Sequence, residues 1–398
     1  MASTINLYAV WTPITYTIRF NANGGSGTMS DLTVKYDQSV TLTANVFTRS
    51  GYAYDGWAVV SYQDAIYRDK ATVKNLASTQ GAVVILYAVW AKTTDDKLYM
   101  IIDLSRGASA SSYPVSYLAD VPDGGWTDVY QTTKLVLRHV YPGTFNMGSP
   151  STELGRASNE TLHEVTLTKP FYIGVFACSQ KQWSLVTGAN PMTYEPQKID
   201  NWVQCEVSYN DIRGSSQGAE WPASNAVDGS SFLGKLRSKT GLAFDLPTEA
   251  QWEYACRAGT TTAFNLGLDL PSLNAGEVWD FVNTNGIARC SYGTMFRATP
   301  SGVSIGKPNA WGIFAMHGNT WEWCLDWYSN LGTAAATDPT GPVSGTSRVL
   351  RGSSSIHSGD TCRSARRSSV GPSYRFEFNG TMNNSTEFVG FRLCLPDK

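Results

Sequence analysis

Two kinds of apolar spacing alternate along the chain. Between Tyr16 and Trp90 the period is two: Tyr16-Thr17-Ile18-Arg19-Phe20 sets apolar side chains on alternate positions, as a strand with one buried face requires. Ser39–Phe47 predicts a second strand and Ala82–Trp90 a mostly buried last one. Asn21–Met29, NANGGSGTM, predicts a turn, because Asn and Gly tolerate positive φ. Beyond the polar stretch Ala91–Lys97 helical spacing appears. Ser179 with Gln182 forms a capping box ahead of Trp183 and Val186. Thr248 with Gln251 forms another, followed by Trp252, Ala255 and Cys256 on one face and closed by Gly259. A third helix is expected over Ala226–Lys239, closed by Gly241. Residues 134–140, 163–175, 347–352 and 389–395 have the β-branched or alternating character of strands.

The string LYAVW occurs at Leu7–Trp11 and again at Leu86–Trp90, so a repeat is expected. The domain reading is a tail of a preceding repeat over 1–15, a full repeat over 16–90, a linker over 91–97, and one large α+β domain over 98–398. FNANGGSGTM, TVKYDQSVTLTAN, FTRSGYAYDGWA and LYAVW resemble the internalin-type B repeat (Listeria–Bacteroides repeat) of bacterial surface proteins. That resemblance implies a small β-grasp-like spacer, and a chain cut from a longer protein.

Charge narrows the function classes. With 31 basic and 33 acidic residues, the net charge is -2. That leaves no electrostatic footprint for nucleic acid. No run of ~18 apolar residues predicts a transmembrane segment. The seven cysteines form no CxxC, which argues against a zinc knuckle, and free buried thiols are the expectation.

Four segments of the large domain carry a further resemblance: GTFNMGS at 143–149, DLPTEAQWEYACRAG at 245–259, NAWGIFAMHGNTWEWCLDWY at 309–328, and RVLRGSSS, CRSARRS and GFRL within 348–393. They are similar to the formylglycine-generating-enzyme (sulfatase-modifying factor) superfamily, which implies a C-type-lectin-like fold whose tryptophans, Trp252, Trp311, Trp321, Trp323 and Trp327, pin loops to the core. The resemblance also implies a cysteine pair that binds copper and performs the oxidation, a thiolate being both soft ligand and redox nucleophile. Here His357 stands where the first cysteine belongs. Cys362 heads CRSARR, expected as a buried strand, and Cys290 and Cys324 are not expected beside it. No enzyme and no copper are therefore expected. The superfamily resemblance does imply a structural calcium held by Asn319 and Glu322, whose oxygens are hard ligands.

Residues 353–390 contain no Lys, Gln or Trp. Segment 348–393 resembles the variable region of diversity-generating-retroelement target proteins, where adenine replacement in Asn-like codons cannot reach Lys, Gln, Glu, Met or Trp. By that resemblance Arg351, Gly352, Cys362, Arg363, Ser364, Ala365, Arg367, Pro372, Ser373, Arg375 and 390–393 are framework. Ser355, Ile356, His357, Ser358, Asp360, Thr361, Arg366, Ser369, Val370, Tyr374, Phe376 and Phe378 are the variable, ligand-binding positions. Glu377–Phe388 departs from the pattern, since Glu377, Met382 and Glu387 are not reachable types. Aromatics among small polar residues make a paratope-like mixture, and Tyr374, Phe376 and Phe378 are expected exposed on one alternating stretch. The expected function is a receptor-like protein, displayed extracellularly by a bacterium or phage, that binds a protein or glycan. The alternative is an oxidase of the resembled family, or a related enzyme, with a rearranged site.

Overall fold

A computed structural model describes residues 12–49, 51–61, 65–92, 97–192, 199–216, 220–288, 290, 301–375 and 388–396. The chain divides into two compact units, 1–95 and 96–398.

The first unit contains β1 (Thr15–Asn21), β2 (Leu32–Lys35), β3 (Ser39–Thr41), β4 (Tyr52–Ala58), β5 (Thr72–Lys74) and β6 (Val83–Lys92). Its main sheet has the order β2-β1-β6-β4, with β1 and β6 parallel; β3 and β5 form a separate antiparallel pair. The alternation of β1 does what it predicts: Tyr16, Ile18 and Phe20 are buried. They surround Trp57, which is fully buried and meets Phe20 at 4.8 Å and Tyr54 at 5.2 Å between ring centres. Gly56 sits where β4 slips register against β6, and a Cβ there would stand 2.5 Å from the Tyr67 carbonyl. The strand expected over 39–47 is shorter, only β3, and the described residues of this unit contain no helix.

The second unit begins with β7 (Tyr99–Asp103), β8 (Val115–Leu118), α1 (Asp128–Thr132), β9 (Lys134–Val140), β10 (Gly143–Met147), β11 (His163–Leu167) and β12 (Phe171–Gly174). Helices α2 (Gln180–Thr187), α3 (Tyr209–Arg213), α4 (Phe232–Thr240), α5 (Glu249–Arg257) and α6 (Ala275–Thr284) follow. The remainder is β13 (Trp321–Trp327), β14 (Ala336–Thr337), β15 (Arg348–Arg351), a 3-10 turn at Gly359–Thr361, β16 (Arg367–Val370), β17 (Val389–Gly390) and β18 (Cys394–Pro396). They make sheets of order β18-β12-β9-β7-β8, β10-β11-β14 and β16-β15-β13-β17.

Both predicted capping boxes are present: Ser179 Oγ accepts from the Gln182 N–H, Thr248 Oγ1 from the Gln251 N–H, and each glutamine side chain reaches back to its cap. The α4 region differs from expectation. The helix starts only after Ser231, which caps it, because the Asp228 carbonyl takes the Ser231 N–H in a turn. The stretch 163–175 is two strands broken at Lys169-Pro170, and 389–395 is broken between β17 and β18. Glu322, expected as a calcium ligand, lies on an inner strand, β13. One large core joins Leu135, Leu137, Trp183, Phe232, Leu236, Trp323, Leu350 and Phe391 between sheets and helices.

Candidate functional site

The segment from β15 to β18 is moored by buried arginines. Arg351 reaches Glu253 on α5 and donates to the Ala365 and Arg366 carbonyls, each at 2.8 Å. Arg363 is fully buried and meets Glu153 at 2.6 Å and Glu160 at 2.7 Å. Arg367 grips both oxygens of Glu249, at 2.5 and 2.8 Å. Arg392 grips both oxygens of Glu322, at 2.6 and 2.7 Å. Burial opposes the charge on Glu249, but Arg367 and Arg351 outweigh it and hold its carboxyl below the usual range. Asp326 is buried beside Glu249 with no such counterion of its own, and burial together with that neighbour raises it to about 7. Gly352, at φ 93°, turns the chain where a Cβ would meet the Trp252 ring at 3.2 Å.

The loop after Gly352 carries the first candidate positions. Ser355 is fully buried, with its N–H donating to the Asn319 carbonyl at 3.0 Å. It is therefore not a surface contact, which corrects the sequence expectation. Ile356 packs half-buried on a small core of Met192, Cys205 and Phe388, and Tyr374 packs on the same core. The His357 ring lies 5.8 Å from that of Trp321, and its Nδ1 is 2.8 Å from Ser354 Oγ. Ser358, Asp360 and Thr361 line the 3-10 turn and are partly exposed; Thr361 Oγ1 donates to the Ser358 carbonyl at 2.7 Å. Arg366, Ser369 and Val370 are partly exposed on or beside β16, an edge strand.

Tyr374 differs from expectation. It sits in a turn, its N–H bonded to the Gly371 carbonyl at 2.9 Å, and is half-buried rather than displayed on a strand. Phe376 and Phe378 lie outside the described residues. CRSARR is not a strand either: it is a turn, with the Arg366 N–H bonded to the Arg363 carbonyl, and β16 begins only at Arg367. The floor residues Met192, Cys205 and Trp321 were missed in sequence because nothing local connects them to the segment.

Asn319 and Glu322 do not fit a calcium site. Asn319 Oδ1 accepts the Ser301 N–H at 2.8 Å, and its carbonyl holds the candidate loop. Glu322 Oε2 accepts from Trp252 Nε1 at 2.7 Å, and Arg392 already supplies the positive charge that a cation would. Among the described residues no group of three or more His, Cys, Asp or Glu is arranged to hold a metal.

All seven cysteines are free and buried. Cys290, contrary to the sequence expectation, joins the same buried cluster as Cys362. His317 lies behind them, lowered to about 4 by burial. Its Nδ1 is 2.6 Å from the Cys362 carbonyl and its Nε2 accepts the Asn265 N–H at 3.1 Å.

Residues 129–394 match the sulfatase-modifying factor enzyme 1-like domain, and residues 16–89 match the Listeria-Bacteroides repeat domain. The formylglycine-generating enzyme of Bos taurus is 26% identical over 331 residues, covering 74% of this chain and 83% of that protein. The solved structure of PvdO from Pseudomonas aeruginosa superimposes with a TM-score of 0.51 at 23% identity, covering 66% of this chain and 94% of the other. Treponema denticola variable protein 1 superimposes with a TM-score of 0.49 at 20% identity, covering 67% and 96%.

Proposed function

The chain belongs to the sulfatase-modifying factor enzyme 1-like family, and from that premise we propose that this member is a surface-displayed, receptor-like binding protein. Its C-terminal segment presents a ligand site diversified by a retroelement. The ligand is a protein or a glycan, met in an extracellular setting. No helix among the described residues is long and apolar enough to cross a membrane; in this reading the repeat acts as spacer.

One observation carries the reading: within 351–370 burial separates the two classes of position, whereas the framework positions Pro372, Ser373 and Arg375 beyond that stretch are partly or fully exposed. The framework residues Arg351, Gly352, Cys362, Arg363, Ser364, Ala365 and Arg367 are all buried, and three of them are arginines. Of the ten candidate positions described, nine are partly exposed, and only Ser355 is buried. A surface whose side chains can change while the bonds beneath them stay fixed is what a diversified binder needs. Affinity would come from shape and apolar burial, since the positions bring few charges.

The deciding experiment is on the locus. DNA around the gene from several isolates is sequenced for a near-copy of the codons for 348–393, beside a reverse transcriptase. Mismatches confined to adenines at the candidate codons support the proposal. An invariant segment with no copy overturns it. The similarity to formylglycine-generating enzyme gives the rival reading its own test: copper-dependent oxygen consumption by the purified chain with a cysteine-containing peptide would make it an oxidase instead.

A further inference from the structure

β16 leaves one side of its ladder open. It pairs with β15 over Arg367–Val370 in unbroken register and lies at the edge of its sheet. In an antiparallel ladder every second residue turns its N–H and C=O away from the partner strand. Among the described residues, no group outside that ladder bonds to the backbone of 367–370. Exposed edges of this kind are commonly blunted by lysine, proline or a bulge. Arg367-Ser368-Ser369-Val370 has none of the three, and the one charge it carries is turned inward to Glu249. Ser368, Ser369 and Val370 are partly exposed.

Arg366 stands at the head of this edge with its charge unmet. Arg351, Arg363, Arg367, Arg375 and Arg392 each pair with a carboxylate. Arg366 pairs with none among the described residues, and its Nε, shielded from solvent, has no acceptor. Its main chain is already fixed: the N–H donates to the Arg363 carbonyl at 3.0 Å, and its own carbonyl accepts from Arg351 at 2.8 Å. The framework thus holds the backbone, while the guanidinium keeps its donors for another group.

We propose that the ligand is a protein that docks one extended segment along the open edge of β16 and gives a carboxylate to Arg366. The inference rests on the reading of 348–393 as a ligand site and names the chemistry that site takes. Main-chain bonds to the edge supply affinity for an extended segment. The fork of Arg366 selects among segments, because two parallel N–H donors match the two oxygens of one Asp or Glu. A second copy of this chain does not fit as the occupant, since 365–372 offers no acid to meet Arg366. A glycan does not fit the edge, since it carries no regular row of alternating amide donors and acceptors.

The test selects random peptides displayed on phage against the full chain, then counts the survivors against Arg366→Gln. The expected survivors carry Asp or Glu at one fixed position. Replacing that acid by its amide should cost a synthesised survivor about tenfold or more in affinity for the parent chain and nothing further on Arg366→Gln. Methylating the peptide's amide nitrogens one at a time should weaken it at alternate positions only, as a ladder requires. Both variants of Arg366 are expected to keep the parental Tm, because its backbone makes the framework bonds. If Arg366→Gln does not fold, Arg366→Lys, which keeps the charge and loses the fork, replaces it and should also bind more weakly than the parent. Peptides that bind parent and variant alike, indifference to methylation, or capture of acidic glycans with no peptide enriched would each overturn the proposal. A locus with no template copy overturns diversification and leaves this result standing. A diversified locus whose product captures no acidic segment overturns this inference alone.

Discussion

The repeat unit and the large unit keep their charges in different places. In the repeat the ion pairs Arg19–Asp31 at 2.9 Å and Lys74–Asp37 at 3.4 Å lie at the surface. Cohesion there comes from Trp57 and the rings and aliphatic chains around it. In the large unit Arg213, Arg351, Arg363, Arg367 and Arg392 are all at most 2% exposed, and each meets a carboxylate. A module of short alternating strands closes on apolar contacts alone. A fold with long irregular loops needs bonds that have direction, and a guanidinium supplies five donors in a fixed fork. Arg363 alone joins Glu153, Glu160 and the Asp360 and Gly155 carbonyls. Such pairs add little net stability over apolar packing, because desolvation offsets their attraction; what they fix is the placement of loops.

The sharpest way to break this contrast is Arg363→Ala. It leaves Glu160 and Glu153 buried without their counterion and is expected to destabilise the large unit by about 4–5 kcal/mol. Calorimetry should show that transition collapse while the repeat's own persists. Trp57→Ala should do the converse, costing the repeat about 3–4 kcal/mol through an unfilled core and sparing the large unit; a single transition shifting in both variants would abolish the distinction.

Next comes Asp326. Its folded pKa of about 7 lies above the ordinary carboxylate value, so between these pH values the folded state binds more protons than the unfolded state. Its contribution is favourable at low pH and is lost as pH rises through 7. Asp326→Asn should match the parent near pH 4 and exceed it at pH 8 by on the order of 4 kcal/mol. Denaturant titrations at the two pH values check this, and an equal offset at both would refute it. Smallest of all is Ile356→Ser on the half-buried loop. It should change stability by less than about 1 kcal/mol while abolishing ligand capture, as read by binding assays once a ligand is known.

What was legible in the sequence was local. The capping boxes of α2 and α5 connect residues three apart, and the alternation of β1 lies within five residues. The arginine partners were not legible: Arg363 and Glu153 are 210 positions apart, and no periodicity links them. The strand at WEWCLDW was not legible for a related reason. Its residues are buried on both faces as central strand β13, so it lacks the alternation of a half-buried strand. Asn319 and Glu322 were read as ligands because hard oxygens three apart look alike whether they meet a cation or the Ser301 N–H and Arg392. Among the candidate positions, residue types alone could not reveal that Ser355 is buried like Ser353 and Ser354 before it, whereas Ile356 and His357 are partly exposed.

The strands that follow the candidate segment have a consequence for how such a gene can vary. Val389–Gly390 pairs in parallel with β13, and Cys394–Pro396 pairs with β12. Arg392, between them, is bound to Glu322. Two separate sheets thus receive a strand from residues translated after every candidate codon. A substitution in the segment leaves that closure intact, whereas a stop or a shift of reading frame deprives both sheets at once. If the segment is diversified as proposed, the fold itself screens the copies: those with altered side chains mature, and those with a broken message never assemble.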